Sequence, residues 1–307
     1  MIEISTILCP IDFSEHSRRA LHHAVAIARW YESTVTVLHV YAVAPLAPFP
    51  PGSPILESAY LTPEDHTRLT GEIRRFAETA RTAGVPVEIV LREGPVAREI
   101  LDQAARADLL VIGTHGRSGF DRLVLGSVTE KVLRKAACPV LSVPPHATDA
   151  VAHAPVAFKR ILCPVDFSDC STHALNYAMS LAQEADAGLT VLHVITYEME
   201  LTPDMSESLI AYGHLNAADF RKACEENSRE RLKAAVPDAV RAYCSVDTVL
   251  TPGTPYREIL RVAAEQQTDL IVMGVQGRGA ADLMFFGSTT QHVVRQATCP
   301  VLTIRHA

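Results

Sequence analysis

The 307-residue chain is poor in aromatic residues, which make up 6% of it with a single Trp, so cores packed from Ala, Val, Leu and Ile are expected. No apolar run approaches the length that spans a bilayer, which argues against a membrane protein. Basic residues are in deficit, 28 Lys and Arg against 35 Asp and Glu, for a formal net charge of -7. A nucleic-acid binder carries a basic face, so no nucleic-acid partner is expected. The seven cysteines contain no CxxC, and no His/Cys/Asp/Glu grouping has metal-ligand spacing, so no structural metal is expected. They read as buried free thiols of a reducing compartment. Cys170, Cys224 and Cys244 have no partner in the first half, which leaves a redox role open to them. Met1-Ile-Glu-Ile enters a strand without the charge and apolar region of a signal peptide, and a cytoplasmic location is expected. Three motifs are also missing. There is no G-x-x-x-x-G-K-[ST], no G-x-G-x-x-G after the first strand and no G-x-S-x-G, which excludes P-loop, dinucleotide-binding and nucleophile-elbow readings.

What is present is written twice. Ile7-Leu-Cys-Pro-Ile-Asp-Phe-Ser14 returns as Ile161-Leu-Cys-Pro-Val-Asp-Phe-Ser168, and Thr36-Val-Leu-His-Val40 as Thr190-Val-Leu-His-Val194, both 154 residues later. Gly113-Thr-His-Gly116, nine residues, then Gly126-Ser127 returns as Gly274-Val-Gln-Gly277, nine residues, then Gly287-Ser288, now 161 residues later. Cys138-Pro-Val-Leu141 and Cys299-Pro-Val-Leu302 share that second offset. A net insertion of seven residues therefore falls between His193 and Gly274. The period is too long for a solenoid and fits two whole domains. We expect domains at 1–144 and 157–307, joined by a small, polar, proline-bounded linker at 145–156.

Each half alternates strands with helices. In the first, strands are expected at 6–10, 34–40, 87–91, 109–112 and 140–143. Ala20, Leu21, Ala24, Val25 and Ala28 mark one helical face, and Thr62-Pro63 marks a capped helix start closed by Gly84. The proline-heavy 44–54 is expected to be a loop, and the second half to hold a longer helix over 206–235. Strands separated by helices give parallel sheets covered on both faces, hence two doubly wound, Rossmann-like α/β domains.

In such a sheet ligands sit beyond the carboxyl ends of the strands, near the switch in strand order. Gly113, Gly116, Gly126 and Ser127 end a strand and open a helix there, an arrangement that cradles phosphate with backbone N–H groups. Gly274, Gly277, Gly287 and Ser288 do the same in the second half. These glycines could also serve only as caps and turns. Asp12 and Asp166, just past the first strand of each half, suit either hydrogen bonding to ribose or adenine, or capping of the next helix. Ser127 and Ser288 suit a phosphate, its Mg²⁺, or an ordinary place in the first helical turn. Arg117 and Arg278 can pair with phosphate or face solvent. His115 is replaced by Gln276, so it reads as loop or phosphate lining rather than as a shared base. His39 and His193 read as hydrogen-bonded core histidines.

The Ile-Leu-Cys-Pro-Ile-Asp-Phe-Ser start, the G-x-x-G-x9-G-[ST] signature and the closing Cys-Pro-Val strand resemble the universal stress protein family, over nearly the whole chain and in two copies. The resemblance implies five-stranded α/β domains that bind ATP, usually with Mg²⁺. It places Pro10, Asp12 and Val40 at the adenine side, and Gly116, Arg117, Gly126, Ser127 and Val128 at the phosphates. The second set is Pro164, Asp166, Val194, Gly277, Arg278, Gly287, Ser288 and Thr289. Gln276 in place of His115 and Ala280 in place of Gly119 are departures in the second copy. The resemblance also implies a pseudo-dimer of the two domains within one chain, with a homodimer of chains as a further expectation. The function implied is that of a nucleotide-dependent stress-response sensor or adaptor. Slow ATP hydrolysis or autophosphorylation, and a nucleotide-free interaction module, stand as alternatives.

Overall fold

β-Branched runs bounded by turns become short parallel strands in a computed structural model that describes residues 2–41, 62–116, 125–145, 156–196, 217–277 and 286–305. The chain divides into two compact units, Glu3–Val156 and the stretch from Ala157 onward. In the first unit the elements are β1 (Thr6–Ile11), α1 (Glu15–Tyr31), β2 (Thr34–Tyr41), α2 (Pro63–Phe76), α3 (Glu78–Thr82), β3 (Val87–Glu93), α4 (Val96–Ala104), β4 (Leu109–Gly113), α5 (Ser127–Lys135) and β5 (Val140–Val143). In the second they are β6 (Arg160–Pro164), α6 (Asp169–Ala185), β7 (Gly188–Ile195), α7 (Ala217–Ala235), α8 (Asp238–Arg241), β8 (Val246–Pro252), α9 (Pro255–Glu265), β9 (Leu270–Gly274), α10 (Ser288–Gln296) and β10 (Val301–Ile304).

Strand order is β3-β2-β1-β4-β5 in the first unit and β8-β7-β6-β9-β10 in the second. The β1–β2, β2–β3, β1–β4 and β4–β5 ladders are parallel, as are their second-half counterparts. The first three strands of each unit march to one side, and the fourth returns to the other side of the first. The order therefore reverses between β1 and β4, and between β6 and β9, opening a crevice at their carboxyl ends. The Rossmann-like expectation holds in both units.

Burial follows the pattern of a sheet covered on both faces. β4, β5, β9 and β10 are buried at every residue, while β3 and β8 at the sheet margins are only half-buried. The expected α1 stripe, Ala20, Leu21, Ala24, Val25 and Ala28, is buried. Pro10 sits in a strand with neighbours on both sides, yet the β1–β4 ladder ends at Leu8–Leu110, so the missing N–H interrupts no bond there. The entry to each sheet is fixed by one carboxylate. Asp108 accepts from the backbone N–H groups of Ser5 and Thr6 at 2.9 Å each. Asp269 does the same for Lys159 and Arg160, at 3.0 and 2.9 Å.

Several local readings are refined. Thr62 caps α2 through a full capping box with Asp65, and Pro63 occupies the first turn. The helix does not run unbroken to Gly84: it breaks at Ala77 and resumes as α3, and Gly84 closes it at φ 77°. β3 continues to Glu93, past the expected Leu91. The proline-heavy 44–54, most of the linker, and 206–216 of the longer helix lie outside the described residues. Among the described residues no helix is long and apolar enough to cross a membrane.

All seven cysteines are buried, and none is in a disulfide. Burial raises the Cys9 and Cys299 thiols to about 12 and Cys138 to about 11, and it raises Cys163 as well. Cys170 donates to the Ile304 carbonyl and Cys244 to that of Ala187, both at 3.2 Å. The thiolate is the reactive form. Native protein at pH 8 is therefore expected to alkylate at Cys9, Cys138, Cys163 and Cys299 roughly a hundred- to a thousandfold more slowly than free cysteine. All seven should react once the chain is unfolded. Mass spectrometry after timed quenching checks this, and fast native labelling of any of these four thiols would contradict it.

Candidate functional site

The Asp-Phe-Ser triplet after β1 makes a tight turn that aims a carboxylate at the crevice. Asp12 Oδ1 accepts from the Ser14 N–H at 3.0 Å and from Ser14 Oγ at 2.5 Å. Ser14 Oγ in turn accepts from the Ser17 N–H at 3.2 Å and caps α1. The second half repeats the turn, with Asp166 accepting from Ser168 N–H at 3.1 Å and Oγ at 2.6 Å, and Ser168 capping α6. The capping role therefore falls to Ser14 and Ser168, and the two aspartates orient those serines rather than capping the helices themselves.

The turn requires left-handed backbone at Phe13 (φ 64°) and Phe167 (φ 62°). That conformation costs a non-glycine residue about 1–2 kcal/mol. Ring packing offsets it: Phe13 lies 4.6 Å from the His39 ring and Phe167 4.5 Å from His193. His39 Nδ1 donates to the Ile11 carbonyl at 2.9 Å and His193 Nδ1 to that of Val165 at 2.7 Å, so each imidazole buttresses the strand end. Arg18 stacks over Phe76, which meets Phe13 edge-on, and Arg231 covers Phe167.

Across the crevice, β4 and β9 end in the glycine loops. A Cβ on Gly113 would lie 3.1 Å from the His16 carbonyl oxygen, and one on Gly274 would lie 2.9 Å from Cys170 Sγ, so α1 and α6 cross these strands at a distance only glycine permits. A Cβ on Gly116 would lie 3.0 Å from Asp12 Oδ2, and one on Gly277 2.4 Å from Asp166 Oδ2. These contacts bring the aspartate and the second glycine together in both halves, from positions more than a hundred residues apart in sequence.

The helix that follows is held against the same loop. The Gly126 N–H donates to the Thr114 carbonyl at 2.9 Å and the Gly287 N–H to that of Val275 at 2.8 Å. Thr129 Oγ1 donates to the Gly113 carbonyl at 2.8 Å and Thr290 Oγ1 to that of Gly274 at 2.9 Å. Gly126 and Gly287 are the N-caps, with no side chain capping either helix, so Ser127 and Ser288 take the first helical position and not the cap. Both serines are exposed, and Val128 and Thr289 follow them in the first turn. An uncapped first turn presents backbone N–H groups and the positive end of the helix dipole, the usual anchor for an anion.

Pro10, Val40, Gly113, Val194 and Gly274 are buried and Pro164 is half-buried, so Pro10, Pro164, Val40 and Val194 offer apolar walls at strand ends rather than polar contacts. Arg117, Arg278, Gly119 and Ala280 lie outside the described residues. Sequence reasoning missed Phe13, Phe167, Thr129 and Thr290 as residues that shape the site. The signal was available, since each pair recurs at the offset of its own motif.

His115 separates the halves. Its Nδ1 lies 2.9 Å from Thr114 Oγ1, and its ring centroid is 5.7 Å from that of His16. Burial lowers the His16 pKa first, with His115 and Arg19 acting in the same direction and Asp12 and Glu15 opposing them. The second half has Cys170 and Gln276 at these places.

Fold and site together define a tandem of Rossmann-like domains, each with a glycine loop that meets an aspartate across the strand-order switch and holds an uncapped helix start. The universal stress protein family model matches residues 3–144 and again 157–305. The chain belongs to that family, as a member with two consecutive domains. A universal stress protein of Mycolicibacterium smegmatis is 26% identical over 304 residues, covering 97% of this chain and 96% of that protein. Universal stress protein Rv2005c of Mycobacterium tuberculosis is 28% identical over 314 residues, covering 98% and 97%. The crystal structure of a universal stress protein from Archaeoglobus fulgidus is similar in fold, with a TM-score of 0.65 at 22% identity, over 99% of this chain and 97% of that one.

Proposed function

We propose that both halves bind ATP with Mg²⁺, and that the chain is a cytoplasmic stress-response sensor or adaptor whose state is set by nucleotide occupancy. The observation that carries this reading is the twice-built crevice in which one glycine loop meets an aspartate and holds an uncapped helix start. The cradle suits a phosphate because glycine leaves the backbone open: a Cβ on Gly126 would already stand 3.2 Å from the Thr114 carbonyl oxygen. The phosphates would lie on the N–H groups of Gly116, Ser127 and Val128, and on those of Gly277, Ser288 and Thr289, with Gly126 and Gly287, whose own N–H groups are taken by Thr114 and Val275, lining the approach. Arg117 and Arg278, which follow Gly116 and Gly277 in the sequence, would pair with these phosphates. Asp12 and Asp166 would accept hydrogen bonds from the nucleoside, against walls formed by Pro10 and Val40, and by Pro164 and Val194. The exposed hydroxyls of Ser127 and Ser288 suit the metal ion, which would neutralise phosphate charge. The domains of this reading are 1–144 and 157–307, with 145–156 between them.

Calorimetric titration of Mg-ATP into nucleotide-stripped chain tests the proposal. Two sites are expected in the wild type. Asp12→Ala should weaken the first and Asp166→Ala the second by about tenfold or more, the value of one to two lost hydrogen bonds at a buried polar contact. Absence of heat and of any thermal shift at millimolar Mg-ATP would overturn it and leave an interaction module that keeps the motif for folding.

A further inference from the structure

The two imidazoles at the first glycine loop carry nitrogens whose chemistry nothing above uses. His16 Nδ1 and His115 Nε2 are both closed to solvent and have no hydrogen-bond partner. With the Thr114 Oγ1 proton donated to the Val143 carbonyl at 3.3 Å, that oxygen accepts from His115 Nδ1–H at 2.9 Å. His115 Nε2 is then a bare lone pair. A buried acceptor without a partner costs about 1–3 kcal/mol, which two adjacent sites would not both bear without compensation. The rings are tilted by 44° with centroids 5.7 Å apart. Two imidazoles that share one Zn²⁺ at about 2.0–2.1 Å hold their centroids about 5–6 Å apart.

We propose that His16 Nδ1 and His115 Nε2 bind a borderline-soft divalent cation such as Zn²⁺, in the first half alone. With its proton on Nδ1, His115 makes to Thr114 the outer hydrogen bond that a metal-binding histidine ordinarily makes. Imidazole nitrogen selects zinc and its neighbours over Mg²⁺, which takes oxygen ligands, so this site is distinct from the one a nucleotide's Mg²⁺ would occupy. Among the described residues no group of three or more His, Cys, Asp and Glu side chains is placed to hold a metal. The protein thus supplies two ligands, and water or an anionic oxygen carried in with the ion would complete its coordination. Asp12 and Glu15 add negative charge beside His16, against the positive charge of Arg19. The second half, with Cys170 and Gln276, lacks the pair.

The test uses the full chain stripped of nucleotide, so it is independent of whether ATP binds. Zn²⁺ is titrated in competition with a chelating dye, and Co²⁺ serves as a spectroscopic stand-in. One ion per chain is expected at micromolar free metal. His16→Ala and His115→Gln should each weaken it by at least about a hundredfold, beyond what losing an outer partner alone costs. His115→Gln installs the residue the second half already carries, and unchanged thermal unfolding without metal confirms that it folds. Three results would each overturn the assignment: no binding in the micromolar range, unaltered binding by His115→Gln, or a thiolate charge-transfer band with Co²⁺.

Discussion

Gly126→Val is expected to remove one of two Mg-ATP sites, leaving the other at its original affinity, and Gly287→Val to do the reverse. The backbone at Gly126 (φ -57°, ψ 140°) is one that valine can adopt, so the loss comes from space and not from dihedral strain. A Cβ there stands 3.2 Å from the Thr114 carbonyl oxygen and 3.7 Å from Thr129 Oγ1. The branched methyls must then press on the bond that holds Gly126 N–H to Thr114 or project over the first turn of α5. At Gly287 the Cβ stands 3.0 Å from the Val275 carbonyl oxygen, so the second half is the tighter of the two. Overpacking of this kind costs about 1–3 kcal/mol of stability. Closing the approach to the N–H groups should weaken binding by more than about a hundredfold, or roughly 3 kcal/mol. Calorimetry reads the number of sites, and circular dichroism confirms that the variants fold. Two unaltered sites in Gly126→Val would remove the glycine cradle from the mechanism.

Acid is expected to unfold the first half before the second, through His23. This residue is buried on α1, its Nδ1 donates to the Arg19 carbonyl at 2.9 Å, and burial lowers its pKa to about 4. The folded state therefore binds fewer protons than the unfolded state between about pH 6.5 and 4, and stability rises with pH across that window. Below pH 4 both states are protonated, and the accumulated loss relative to neutral pH is roughly 3 kcal/mol. His16 and His22, whose pKa values are also lowered chiefly by burial, act with the same sign. Asp65 and Glu258 are lowered too, by their hydrogen bonds to Thr62 and to Arg261. Their contribution is present above the unfolded carboxylate pKa and is lost as pH falls through the folded value, so it acts with the same sign but meets the histidine window only at its acid end. The second half has Asn176 and Tyr177 in place of His22 and His23. His23→Leu should leave stability at pH 7 little changed and flatten the slope toward pH 4.5, measured by urea unfolding at several pH values. A wild-type slope in that variant would show that His23 is not the sensor.

The chain's covalent order determined a great deal. Strand and helix periods gave the α/β class, because alternation of apolar strands with amphipathic helices leaves parallel crossover as the economical way to bury both faces. The repeated motifs gave two domains and named Asp12, Gly116 and Gly126 with their partners, because backbone approach and positive helix ends demand glycine wherever they occur. Thr62-Pro63 was readable for the same reason: capping is local chemistry. What the sequence could not decide were relations between residues distant in the chain. Asp12 is five residues from Ser17 and more than a hundred from Gly116, and nothing local says that its carboxylate orients Ser14 while facing the glycine loop. Phe13 looks like an ordinary core aromatic until the fold sets its ring against His39, which offsets the left-handed backbone (φ 64°) that the turn requires. His115 could be set aside as unshared on its own, yet strand order brings His16 to within 5.7 Å of it, ring to ring. Local propensities are written residue by residue, whereas the facing of one turn toward another is fixed only when β4 takes its place beside β1.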